Sequence, residues 1–99
     1  MTMMRLFKEP ICFEWDRGNK DKNLKKHDVI IEECEEVFFD PYKKIVNTLV
    51  KAGKENRYLL IGRTKKDRIL FIVFTMRKQK IRVISARDIN KKEGKDYEK

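Results

Sequence analysis

The 99-residue chain carries two cysteines and one histidine, and has no apolar run of the roughly 18 residues that a membrane-spanning helix requires. Cys12 and Cys34 are too few for the disulfide framework of a small secreted domain and too far apart for paired zinc ligands, so they read as reduced thiols. With His27 the lone histidine and carboxylates scattered over a basic chain, we expect no bound metal and no cofactor. A Gly-rich phosphate loop, a Gly-x-Ser-x-Gly elbow and a His-Glu-x-x-His motif are all missing, which removes support for nucleotide-dependent catalysis and hydrolase triads. Met1 to Pro10 lacks the successive basic, apolar and small-residue regions of a signal peptide, so a cytoplasmic protein is expected. No internal repeat or low-complexity tract divides the chain, whose length suits a single domain over residues 1–99.

What the chain has in abundance is positive charge in one half. Residues 1–50 hold 9 Lys/Arg against 10 Asp/Glu, whereas residues 51–99 hold 16 against 6, within a net charge of +9. Clustered Lys and Arg displace the counterions condensed on a phosphate backbone, so a nucleic acid is favoured over a membrane as the partner.

The hydropathy pattern predicts an α+β protein. Phe13-Glu14-Trp15-Asp16 places Phe13 and Trp15 on one side of a short strand, and the polar run from Asn19 to His27 suits an exposed helix. From Val29 to Phe39, Ile31, Cys34, Val37 and Phe38 recur at helical spacing with Glu32, Glu33, Glu35 and Glu36 turned outward, and Asp40-Pro41 ends that helix. Tyr42 to Val50 reads as a first strand. Tyr58 to Thr64, Ile69 to Met76 and Lys80 to Ala86 read as three more, joined by hairpin-length connections and paired antiparallel. Ile69 to Phe74 is apolar without a break and is expected to be central and covered on both faces. Beyond Arg87, with Asp88 as the cap and Ile89, Glu93 and Tyr97 at four-residue intervals, a C-terminal helix is expected against the sheet. Trp15, Phe38 and Phe39 read as core.

Arginines stand at the strand ends and at one interior position. Period two puts Arg57 and Arg63 on the side of Leu59 and Ile61, and Arg82 opposite Ile81 and Val83, which leaves open whether all share a face. Either Arg57, Arg77, Arg82 and Arg87 surround one concavity, where guanidinium forks hold a phosphate, or they are solvated charges that protect sheet edges from aggregation. Arginine stabilises negative charge but is a poor proton acceptor, so an enzyme would need a separate base. The candidates are His27, Glu93 and Lys26, with His27 equally at home as a residue closing a helix. Lys26, Arg63, Arg68 and Tyr97 complete the set of candidate RNA contacts, Tyr97 either stacking on a base or packing on the sheet.

The order of these motifs resembles the BrnT family of type II toxins, ribonucleases with a RelE-like fold. The residues that carry the resemblance are Phe13-Glu14-Trp15-Asp16, Asn23-Leu24, Lys26-His27, Glu32-Glu33, Val37-Phe38, Asp40-Pro41, Glu55 with Arg57, Ile61-Gly62, Arg68, Thr75, Arg77, Ile84-Ser85-Ala86-Arg87, Glu93 and Tyr97. The chain departs from the family pattern at Asp28, where glycine usually follows Lys-His, at Ile30, which replaces a small polar helix starter, and at Lys51-Ala52, which replaces His-Ser.

The resemblance implies a RelE-like sheet with N-terminal helices and a C-terminal helix. It implies a metal-independent endoribonuclease that inhibits translation, in which the RNA 2′-hydroxyl attacks the adjacent phosphate and arginines hold the pentavalent charge. It implies as partners RNA and a BrnA-like ribbon-helix-helix antitoxin, through which DNA is reached only indirectly. The alternatives are a catalytically impaired module that binds nucleic acid or antitoxin, and a direct DNA-binding regulator, although paired helices of helix-turn-helix spacing are absent.

Overall fold

A computed structural model describes residues 11–16, 18, 27–52 and 55–98. Its elements run α1 (Ile31–Phe38), β1 (Lys44–Ala52), β2 (Glu55–Arg63), β3 (Ile69–Arg77), β4 (Lys80–Asp88) and α2 (Lys91–Glu98). The expected helix from Asn19 onward lies outside the described residues, apart from His27 at its end. The four strands form one antiparallel sheet in the order β1-β2-β3-β4, a meander that needs only hairpin connections.

α1 forms where the spacing predicts, with Cys34, Val37 and Phe38 buried against the sheet. Ile30 offers no side-chain acceptor at its N-terminus, and the Glu33 carboxylate reaches back to accept the Ile30 N–H at 3.3 Å. The helix sits hard against β2. A Cβ on Gly62 would come within 2.7 Å of the Val37 carbonyl oxygen and 2.9 Å of its Cβ, so only glycine permits this approach.

Beneath α1 lies the core: Leu60 of β2, Leu70, Ile72 and Phe74 of β3, and Ile81, Val83 and Ala86 of β4, with Val29 from the chain entering the helix. Phe38 joins the layers by edge-to-face contacts with Phe13 and Phe74, at centroid distances of 5.3 and 5.1 Å. On β3 the two faces differ: Leu70, Ile72 and Phe74 are buried, while Ile69, Phe71 and Val73 are half-buried. The unbroken apolar run therefore marks a strand interior to the sheet with one fully covered face.

Three expectations change. The opening strand is reduced to one parallel bridge, Phe13 to Ile81, which docks the segment along the edge of β4. The cap of α2 is Asn90, whose Oδ1 accepts the Glu93 N–H at 2.8 Å while Glu93 Oε1 accepts the Asn90 N–H at 3.0 Å. Asp88 is instead drawn to Arg68. Phe39 is 61 % exposed, because the helix stops at Phe38 and the next side chain falls off the buried stripe. Asp28 has φ 54°, a left-handed conformation that glycine adopts without strain. No helix among the described residues is long and apolar enough to cross a membrane.

Candidate nucleic-acid interface

The sheet has a second face, turned away from α1, and the strand register decides what stands on it. On β2 the helix side takes Leu60 and Gly62, leaving Arg57, Leu59, Ile61 and Arg63 opposite. On β3 that second face carries Phe71, Val73, Thr75 and Arg77. On β4, Thr75 pairs with Arg82, Val73 with Ser85 and Phe71 with Arg87. Arg82 and Arg87 are five residues apart, a separation that a regular strand would send to opposite faces. A register shift opposite Val73/Phe74 skips Ile84 and returns both to one side. Arg57, Arg63, Arg77, Arg82 and Arg87 thus share a face.

They share it in separate groups. At the end near the β3–β4 hairpin, Arg82 lies across from Thr75, and the continuing β2–β3 ladder brings Arg57 alongside Thr75 from the other strand. Thr75 is 1 % exposed, donates its hydroxyl to the Asn56 carbonyl at 2.8 Å, and fixes this row. The Arg57 Nε is buried in it. Arg77 and Lys80 pair one step further on. Arg82 reaches the carboxylates of the edge segment, Glu14 at 3.2 Å and Asp16 at 2.6 Å. The Asp16 hydrogen bond, working against partial burial, holds Arg82 firmly charged.

The second group lies four β3 residues away, about 13 Å at the rise of an extended strand. There Arg87 stacks on the Phe71 ring, 4.3 Å from its centroid, and pairs through both terminal nitrogens with Glu93 at 2.9 and 2.7 Å. That bidentate pair holds the Glu93 carboxyl below its ordinary range against the opposing effect of burial. Glu93 is consequently a poor proton acceptor at neutral pH.

α2 is anchored at the same end by its Tyr97. The Tyr97 hydroxyl donates to Asp40 Oδ2 at 2.6 Å, and Arg63 lies 5.6 Å from the centroid of the Tyr97 ring. Asp40 also accepts the backbone N–H groups of Tyr42 at 2.9 Å and Arg63 at 2.8 Å. Burial pushes the Asp40 carboxyl up, but the Tyr97 hydroxyl and these two amides outweigh it, and the net shift is downward. Burial and the Asp40 carboxylate together push the Tyr97 phenol up.

Arg68 and His27 lie elsewhere. Arg68 donates to the carbonyls of His27 (2.8 Å) and Asp28 (2.7 Å), to Glu33 (3.0 Å) and to Asp88 (2.7 and 3.1 Å), clamping the entry to α1 onto the end of β4. Its fork is spent on structure. His27 is exposed at that corner, while Arg82 is five β3 positions away, about 17 Å along the strand. Lys26 lies outside the described residues. Cys34 is buried, and its thiol is pushed up to about 12, by burial first and then by Glu33 and Glu35, so it is not a nucleophile.

Three features escape the sequence reading. Thr75 belongs to the arginine face, a position that period two from buried Phe74 marks once Phe74 is known to be core. Glu14 and Asp16 alternate with Phe13 and Trp15, the signal that places them beside Arg82. Asp40 reads as a helix stop, and nothing local announces it as the acceptor for two distant donors, the Arg63 N–H and the Tyr97 hydroxyl. Two clefts, of about 400 and 420 Å³, open beside the end of α1 near Phe39 and Lys65, away from the Arg57–Arg82 row.

Comparison with known proteins bears on the family and the fold. The model of a family described as ribonuclease toxin, BrnT, of type II toxin-antitoxin systems matches residues 15–93. A crystal structure of the Brucella abortus ribonuclease toxin BrnT shares the fold, with a TM-score of 0.61 at 23 % identity, covering 82 % of this chain and 99 % of that one. No curated protein matches the chain.

Proposed function

Because the chain belongs to the BrnT family, the ribonuclease toxins of type II toxin-antitoxin systems, we propose that RNA lies on the sheet face opposite α1 and is cut where Arg57 and Arg82 hold the phosphate. One observation carries this assignment: two guanidinium groups from different strands flank the buried Thr75, with Arg77 one step beyond. Arg82's carboxylate partners do not close the site. Glu14 and Asp16 come from an edge segment, are 39 % and 51 % exposed, and hold Arg82 through separate contacts, so an incoming phosphate can displace them at small cost.

In this reading the cleavage is internal to the strand and uses no metal. The 2′-oxygen bonds to the neighbouring phosphorus, the bond from phosphorus to the 5′-oxygen breaks, and the products are a 2′,3′-cyclic phosphate and a 5′-hydroxyl. The arginines stabilise the extra negative charge of the pentavalent state. The 2′-hydroxyl proton passes to a base, and the leaving oxygen gains one. Glu14, 3.2 Å from Arg82, is the acceptor in this reading, since His27 lies about 17 Å along the strand from Arg82. The partner is an antitoxin, which we take to be BrnA-like, with a ribbon-helix-helix region that brings the complex to DNA. The toxin then acts in the cytoplasm, where cutting RNA inhibits translation.

The test is cleavage of end-labelled RNA by the purified protein in the presence of a chelator. Arg57→Ala and Arg82→Ala should each lower kcat by about 10²–10³, the usual cost of deleting one preorganised donor to a developing oxyanion. Undiminished cleavage in both variants removes this site. Glu14→Gln should slow the same cleavage while His27→Ala leaves it unchanged; the reverse result removes Glu14 as the acceptor.

A further inference from the structure

Resting on that reading of the face, we infer that Arg87 is a specificity-determining residue: its guanidinium plane is a platform on which a nucleobase of the bound strand stacks, not a phosphate clamp. A phosphate takes arginine by an edge that presents two parallel N–H groups, and the end-on edge is the one formed by Nη1 and Nη2. In Arg87 that edge is occupied, with Nη1 and Nη2 on the two oxygens of Glu93 and Nη1 also donating to the Asp88 carbonyl at 3.0 Å. The occupant is not loose. The Glu93 side chain is 16 % exposed, bonds both terminal nitrogens of one guanidinium, and is locked in reciprocal capping bonds with Asn90 at the start of α2. Arg82 differs on each point, since its carboxylates are more exposed and come one contact at a time.

One flat surface of Arg87 rests on Phe71. The side chain is nevertheless 36 % exposed, and with its end on Glu93 and one side over Phe71, we take the opposite side of the guanidinium as the surface it offers. A planar cation held rigid between a ring and a carboxylate is a stacking surface for a base, and stacking is how proteins read single-stranded RNA. Between Arg87 and the Arg57–Arg82 row lie Leu59, Val73 and Ser85, an apolar strip with one hydroxyl across which a strand can pass without meeting another charge. The phosphate end and the base end of the site are then distinct, about 13 Å apart on β3.

The test uses a short single-stranded RNA carrying 2′-O-methyl groups, which removes the attacking hydroxyl so that binding is measured alone, and a series in which each position in turn is abasic. For the wild type, one position should weaken binding about tenfold when abasic, the size of a single stacking contact. Arg87→Lys retains the charge and loses the plane. It should bind the intact strand about tenfold more weakly, be indifferent to that abasic position, and keep the wild-type salt dependence. Phe71→Leu should blunt the same position, a second route should Arg87→Lys fail to fold. The inference is overturned if the wild type has no abasic-sensitive position. It is overturned equally if Arg87→Lys keeps the wild-type abasic profile, or if Arg87→Ala weakens all strands alike and reduces the salt slope. Cleavage of the unmodified RNA, run in parallel, separates the two readings: an intact abasic profile without cleavage would remove the nuclease site and leave the platform.

Discussion

Removing one hydroxyl, in Tyr97→Phe, should destabilise the fold by an amount that depends on pH. The Tyr97 hydroxyl donates to Asp40 over 2.6 Å, and both residues are only 8 % exposed. A hydrogen bond to an ionised group contributes about 1.5–3 kcal/mol, against about 1 kcal/mol for a neutral pair. The ring itself stays, so Arg63 keeps its aromatic neighbour and the variant isolates the bond. Asp40 has its carboxyl lowered in the folded protein relative to the ordinary 3.8. Its ionised form therefore adds stability that is full above that ordinary value and disappears as the pH falls through the lowered one. The expected penalty is about 2 kcal/mol at pH 7, shrinking to about 1 kcal/mol at an acid pH low enough to neutralise the acceptor, which lies below the ordinary carboxylate value. Urea unfolding of wild type and variant at the two pH values measures it directly, provided the slopes agree. An equal penalty at both pH values, or one below about 0.5 kcal/mol at pH 7, would refute the view that Asp40 is the charged acceptor fastening α2 to the end of α1.

Two further perturbations test the packing and the turns. Gly62→Ala should cost about 3 kcal/mol in a thermal melt, because its Cβ would meet the Val37 backbone and α1 would have to lift from β2; a loss under about 1 kcal/mol would show that the helix yields freely. Replacing Lys78-Gln79 by Asn-Gly should raise stability by about 1–2 kcal/mol. Both residues now sit at positive φ, 50° and 68°, in a two-residue hairpin that favours asparagine and glycine, and an unchanged midpoint would mean that the turn carries no strain.

Much of the fold was legible because its elements are specified by nearby residues. The stripe of Cys34, Val37 and Phe38 forms a helix wherever it packs, and the hairpin-length connections leave the last three strands little choice but to pair in order. The site was less legible. Arg57, Arg82 and Arg87 can be named from the chain, but which faces they share depends on pairing between strands and on one skipped residue, Ile84. A period-two count carried from Arg82 to Arg87 puts them on opposite sides.

Charge shows the same division. The sequence by itself determined that the second half is strongly basic, that few ligands exist for a metal, and that a helix, a four-stranded sheet and a second helix follow one another. Only the tertiary structure decided how each arginine is employed: Arg68 consumed as a clamp, Arg87 held flat by Glu93 and Phe71, Arg82 beside Thr75 with displaceable partners. The reason is physical. Backbone periodicity is local and repeats within a strand, whereas a guanidinium's role is set by which carboxylates and rings the folded chain brings within about 4 Å of it, and those come from residues far away in sequence.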